Sequence, residues 1–140
     1  MDERVVFTNG CFDLFHVGHL KLLKQARTLG SHLIVGINSD ESVRRLKGRG
    51  RPIIPEDQRA EIVQSLWFVD GVVIFNEDDP LELIKAIKPD ILVKGGDWKE
   101  KDIIGGDFVK SKGGRVVTIP LVEGVSTSKI IETICGEDSL

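Results

Sequence analysis

Five short runs, almost continuously apolar and rich in β-branched residues, recur at residues 4–8, 32–37, 72–75, 91–93 and 115–119. Strands without polar alternation are buried on both faces, as in a parallel sheet covered by helices on each side. Between these runs the apolar residues move to helical spacing, over residues 20–29, 41–46, 56–66 and 80–87, and a last helical pattern covers 126–134. Gly30 stands where the first helix should stop and Pro80 where the fourth should start. This alternation predicts an α/β architecture: a Rossmann-like, doubly wound parallel sheet of five strands, with right-handed crossovers and helices on both faces. No repeat, low-complexity tract or linker divides the 140 residues, so a single domain over 1–140 is expected.

In such a sheet, ligands bind beyond the carboxyl ends of the strands, near the point where strand order reverses. The tails Thr8-Asn9-Gly10, Gly36-Ile37-Asn38-Ser39-Asp40 and Lys94-Gly95-Gly96-Asp97-Trp98 are small and polar, and can converge on one crevice. The first of them opens TNGCFDLFHVGH, residues 8–19. Gly10 permits a tight turn, and Asp13 reads as a cap for the helix that follows. His16 and His19 flank Gly18 at i, i+3, so both imidazoles share one helix face. The helix start also offers unpaired N–H groups and the positive end of the helix dipole. Together these features suit a polyphosphate. The histidine spacing alone is more often that of an incidental surface or capping pair than of a site. Zinc is disfavoured, because HVGH lacks the glutamate and the i+4 spacing of a zinc-protease helix.

Three further segments carry chemistry. Arg44, Arg45, Lys47, Arg49 and Arg51 place five cations within eight residues, with no acid among them. Such a run is either a solvated face or a mobile loop that screens phosphate charge, with Lys47 and Arg51 the best placed for the second role. In the tail after the fourth strand, Gly95 and Gly96 let a planar base approach the backbone, and Asp97 can bind ribose hydroxyls. Trp98 can pack on the base or anchor the loop, and an ordinary Gly-Gly-Asp turn is the plainer alternative. Ser126, Thr127 and Ser128 precede the apolar pair Ile130-Ile131; one is a natural N-cap, and the others can hold phosphate at a helix start. Asp57, Gln58 and Arg59 read as helix-start residues, with Arg59 also able to face phosphate, and His32 reads as structural.

Composition narrows the partners. A net charge of −3 argues against general nucleic-acid binding, and no aromatic residues interleave with the cations. Cys11 and Cys135 are too few and too far apart for a disulfide framework. No apolar run has the length of a membrane span, and Met1-Asp2-Glu3-Arg4 begins no signal-peptide core, so a cytoplasmic protein without a membrane partner is expected. The third helix and Trp67-Phe68-Val69 can supply a homodimer interface or simply pack in the core.

The stretch at residues 8–19 resembles the HxGH signature of the nucleotidyltransferase superfamily, which includes the cytidylyltransferases and pantetheine-phosphate adenylyltransferase. The basic loop, Arg59, VKGGDW and EGVSTSKII recur in the order of the small cytidylyltransferase-like enzymes, so the resemblance spans nearly the whole chain. Glycerol-3-phosphate cytidylyltransferase is similar in outline, but has an arginine where Leu121 stands and an acid where Gly96 stands. The set TNGCFD, INSD, RLKG, RP, VKGGD and GVST looks closest to the adenylyltransferase domain of heptose 1-phosphate adenylyltransferases. In many of these the domain is fused to a sugar kinase, and this chain looks like a stand-alone version.

The resemblance implies ATP and a heptose 1-phosphate as substrates, ADP-heptose and pyrophosphate as products, and Mg²⁺ as cofactor. It assigns the nucleotide to Thr8, Asn9, Gly10, Phe12, Gly18, Lys94, Gly95, Asp97, Ser126, Thr127 and Ser128. His16, His19 and Lys47 would be catalytic, and Asp13, Asp40, Arg51 and Arg59 would contact substrate or phosphate. Asp13 is also the candidate Mg²⁺ ligand. A phosphate monoester is largely dianionic at neutral pH and needs no general base, so direct in-line attack on the α-phosphorus is expected. Another sugar- or polyol-phosphate nucleotidyltransferase, and a non-catalytic nucleotide-binding regulator, are the alternatives.

Overall fold

A computed structural model describes residues 3–136. The apolar runs form five strands, β1 (Val5–Gly10), β2 (His32–Asn38), β3 (Gly71–Phe75), β4 (Ile91–Gly95) and β5 (Arg115–Ile119). All pair in parallel in the order β3-β2-β1-β4-β5. The chain therefore winds outward from β1 through β2 to β3, then crosses back to build β4 and β5 on the other side. That reversal places the switch point at the carboxyl end of β1, where residues 8–19 lie.

Neighbouring residues of one strand face opposite sides of the sheet, and β1 shows this directly. Val6 joins a core with Leu23, Ala26, Val63 and Phe68, contributed by α1 (Val17–Arg27), α3 (Glu56–Gln64) and the segment after it. Phe7 joins a second core with Ile84, Ile103 and Val109, from α4 (Leu81–Ile87) and α5 (Gly106–Ser111) with the turn before it. Helices thus cover both faces, and full burial of Val6 and Phe7 explains why the strands show no polar alternation. The remaining helices, α2 (Asp40–Lys47) and α6 (Thr127–Cys135), follow β2 and β5 at the ligand end of the sheet.

Three local expectations are corrected. The helix of α5 and a 3-10 turn at Glu100–Asp102 fill a segment that carried no helical pattern. Gly105 and Gly106 weaken the propensity there, and the buried Val109 holds the short helix by tertiary packing. Gly30 is not the stop of α1, whose C-cap is Thr28. It is required because a Cβ at that position would lie 2.6 Å from the carbonyl oxygen of Arg4, where the chain enters β2 against the start of β1. Asp13 does not cap α1; His16 does.

Candidate active site

The turn after β1 is shaped by a reciprocal cap. Nδ1 of His16 accepts hydrogen bonds from the N–H groups of Gly18 at 3.1 Å and His19 at 3.4 Å. Nδ1 of His19 in turn accepts from the N–H of His16 at 3.2 Å. This is a capping box with two imidazoles in place of the usual hydroxyl and carboxylate. The rings stack with centroids 3.7 Å apart and planes 19° from parallel. Gly18 belongs to the same construction: a Cβ there would lie 2.9 Å from Cε1 of His16, so any side chain would displace the ring.

Protonation follows from this geometry. Burial disfavours the charged form of both rings and lowers both pKa values. For His19, burial and then the neighbouring His16 bring it to about 4. Both imidazoles are neutral at pH 7, and each uses Nδ1 as an acceptor, so each carries its proton on Nε2. Two neutral N–H donors are therefore fixed side by side.

Both histidines border a cavity of about 670 Å³ across the carboxyl ends of the strands. Its lining mixes cations and apolar groups. Lys47 comes from the end of α2 and Arg51 from the loop beyond it, while Lys94 sits near the carboxyl end of β4 and Trp98 follows that strand. Leu121, Val122 and Val125 come from the segment after β5, and Ser126, Thr127 and Ser128 from the start of α6. Nζ of Lys94 sits 4.8 Å from the Trp98 ring centroid, and the indole N–H donates to the Gly95 carbonyl at 3.1 Å. Burial, first of all, lowers the pKa of Lys94.

The family model described as cytidylyltransferase-like matches residues 7–133. This chain belongs to the cytidylyltransferase-like family. It is 57% identical over 131 residues to the bifunctional protein HldE of Koribacter versatilis, and 59% identical over 132 residues to that of Syntrophotalea carbinolica. Each match covers 94% of this chain but only 27% of the relative, so the chain spans about a quarter of the length of these proteins. Among solved structures, a lipopolysaccharide core biosynthesis protein from Thermoplasma volcanium superposes with a TM-score of 0.74 at 28% identity. That superposition covers 87% of this chain and all of the other. The nucleotidyltransferase fold read from the strand pattern and the HVGH stretch is upheld.

The cavity brings together most of the site residues expected from the sequence. Asn9, Gly10, Phe12, Gly18, Lys94 and the three residues at the start of α6 all border the cavity with the histidines, Lys47 and Arg51. Ser126 is the N-cap of α6, accepting from the Lys129 N–H at 3.1 Å, and Thr127 donates its hydroxyl to the Asp13 carbonyl at 2.8 Å. Phe12 and Leu14 flank Asp13 with φ of 52° and 50°, a costly backbone region for such residues.

Five expected site residues do not line the cavity. Thr8 is buried and ties β1 to β4, its hydroxyl donating to the Val93 carbonyl at 2.9 Å. Gly95 lies behind the cavity wall against Leu121 and Leu22, and Asp97 is exposed outside the cavity. The Arg59 guanidinium is buried and donates to the carbonyls of Ile54 at 2.8 Å, Cys11 at 2.7 Å and Asn38 at 2.8 Å. Its remaining bond, 2.8 Å to Oδ1 of Asp40, occupies that carboxylate as well. Arg59 and Asp40 therefore brace the strand tails instead of facing the cavity.

Sequence reasoning missed part of the wall. Leu121 and Val122 directly follow β5, so the same carboxyl-end rule would have found them. Asp78, Asp79 and Pro80 similarly follow β3. Ile103 and Ile104 also border the cavity, but they lie in the unpredicted segment and carried no signal.

The donor set does not fit a resident Mg²⁺ on Asp13. Three hydrogen bonds converge on its carboxylate, from Arg51 Nε at 2.9 Å, the Ile53 N–H at 2.8 Å and the Ile54 N–H at 2.9 Å. Burial opposes the charge, but these bonds outweigh it and hold the carboxyl below the usual range. No group of three His, Cys, Asp or Glu side chains suited to a metal occurs among the described residues.

Proposed function

We propose that this chain, acting as a single domain, transfers the adenylyl group of ATP to a heptose 1-phosphate, releasing pyrophosphate. The observation that carries the reading is the pair of neutral imidazoles locked by their own helix cap beside Lys47 and Arg51. The motif resemblance to heptose 1-phosphate adenylyltransferases supports the acceptor. So do the HldE relatives and the structural similarity to a lipopolysaccharide core biosynthesis protein.

The chemistry needs little from the protein beyond placement and charge. A dianionic oxygen of the acceptor phosphate attacks the α-phosphorus in line, and a new P–O bond forms as the bond to the α–β bridging oxygen breaks. Pyrophosphate leaves with the electron pair, and no proton has to be removed first. The Nε2–H groups of His16 and His19 donate to oxygens that gain charge in this step, and Lys47 and Arg51 offset the growing negative charge. Mg²⁺ enters as the MgATP substrate, held by phosphate oxygens. The base rests in the apolar section of the cavity, beside Trp98 and Leu121.

Pyrophosphate release from each nucleoside triphosphate with a panel of sugar and polyol phosphates tests this. The expected result is turnover with ATP and a heptose 1-phosphate; preference for CTP with glycerol 3-phosphate would refute it, and so would binding of ATP without turnover of any acceptor.

The expected homodimer is part of the same proposal. Trp67 is 85% exposed, and Ile62, Val73 and Ile74 are exposed around the open edge of the sheet at β3. Light scattering should give a dimer mass that Trp67→Glu reduces to a monomer; a monomeric parent chain would exclude it. No helix of the described residues is long and apolar enough to cross a membrane.

A further inference from the structure

Asp13 lies at the centre of the site but has no free role there as a ligand. Its buried carboxylate takes Arg51 Nε and the Ile53 N–H on Oδ2, and the Ile54 N–H on Oδ1. Its own carbonyl oxygen accepts the Thr127 hydroxyl. One residue therefore joins the turn after β1, the loop between α2 and α3, and the start of α6.

Arg51 gives this pairing only one edge. Among the described residues its guanidinium makes a hydrogen bond through Nε alone, while its side chain is just 14% exposed and borders the cavity. An arginine held at Nε presents two Nη groups as a planar fork, the arrangement that grips phosphate through parallel bonds. We infer that Asp13 is a positioning residue that pins the loop at Ile53 and Ile54 and aims the Arg51 fork at the triphosphate, without touching the nucleotide itself. Its orientation of Arg51 toward a phosphate rests on the proposed function; its hold on the loop does not.

A carboxylate is required because three donors converge on it. Asparagine offers one acceptor oxygen, and its NH₂ would then face either the Arg51–Ile53 pair or the Ile54 N–H, setting donor against donor. Glutamate is one methylene longer and would have to leave the position from which all three are reached.

The test uses the full chain in four forms: wild type, Asp13→Asn, Arg51→Ala and the double variant. Hydrogen exchange is read at the Ile53 and Ile54 amides, and ATP affinity by the fluorescence of Trp98 in the cavity wall. In Asp13→Asn at least one of the two amides should exchange about tenfold faster or more, and ATP should bind about tenfold more weakly. Arg51→Ala should weaken ATP to a similar degree while leaving both amides protected. The double variant should bind ATP no worse than the weaker single variant, because both changes remove one interaction.

Native protection of both amides in Asp13→Asn overturns the inference. So does a multiplied loss of about a hundredfold in the double variant, which would mean that Asp13 acts independently of Arg51. If Asp13→Asn does not fold by circular dichroism, Arg51→Ala decides alone, and wild-type affinity in it overturns the inference. A wild-type chain that binds no ATP defeats the nucleotide reading instead, and the amide exchange then decides whether Asp13 pins the loop.

Discussion

The histidine pair serves both the fold and the proposed chemistry, and the two roles use different nitrogens. Nδ1 of His16 caps α1, while Nε2–H is the donor in the proposed reaction. An asparagine at position 16 places its Oδ1 where Nδ1 now stands and has no atom at Nε2. A glutamine places its amide nitrogen near Nε2 and gives up the acceptor at Nδ1. His16→Asn should therefore keep the cap and lose the donor. Losing a preorganised donor costs about 10²–10³ in kcat, or roughly 3–4 kcal/mol of transition-state stabilisation. Asparagine is among the best N-caps, so the melting temperature should stay within about 2 °C of wild type. His16→Gln should show the opposite pattern. Loss of an N-cap costs about 1 kcal/mol, or roughly 4 °C in a chain of this size, while the amide N–H restores part of the turnover. Calorimetry and a coupled pyrophosphate assay on both variants give the four values needed. Wild-type turnover in His16→Asn, or losses of stability and turnover that rise together in both variants, would refute the division between the two nitrogens.

Acid should expose the same construction. With His19 brought from 6.5 to about 4, the unfolded chain binds the extra proton first, so stability is full above pH 6.5 and falls as the pH drops toward 4. The loss should reach about 2 kcal/mol at pH 4.5 by urea titration, and His19→Asn should flatten the pH dependence; an unchanged slope in that variant would count against it. Arg59→Met should destabilise by about 3–5 kcal/mol, because it strands three backbone carbonyls and the Asp40 carboxylate, and a denaturation midpoint close to wild type would remove Arg59 from the brace. Trp98→Ala should raise the KM for ATP about tenfold with a smaller change in kcat, since the indole both walls the cavity and stacks under Lys94; an unchanged KM would move the base elsewhere.

The parts of this molecule legible in the sequence were those governed by periodicity and chain order. Val6 and Phe7 are both apolar because each faces a different core, and that pattern alone implies helices on two sides of the sheet. The order of strands and helices then implies the switch point, and the residues at and just past each strand's carboxyl end become site candidates by position. This is why Lys94, Trp98 and the histidines were found, and why Leu121 and Asp78 were findable. What periodicity cannot reveal is which polar groups pair with one another across the fold. Asp13 looked like a cap because it precedes a helix, yet its partners are forty residues onward in sequence, at Ile53 and Ile54. Arg59 looked like a phosphate ligand because it is a cation near a helix start, yet three carbonyls from separate segments meet its guanidinium. A buried charge is tolerated only where such partners converge. Convergence of this kind depends on tertiary placement, which a single sequence leaves unstated. The neutral histidines show the same limit: i, i+3 spacing put both rings on one face, but only the reciprocal Nδ1 bonds determine which nitrogen of each carries the proton.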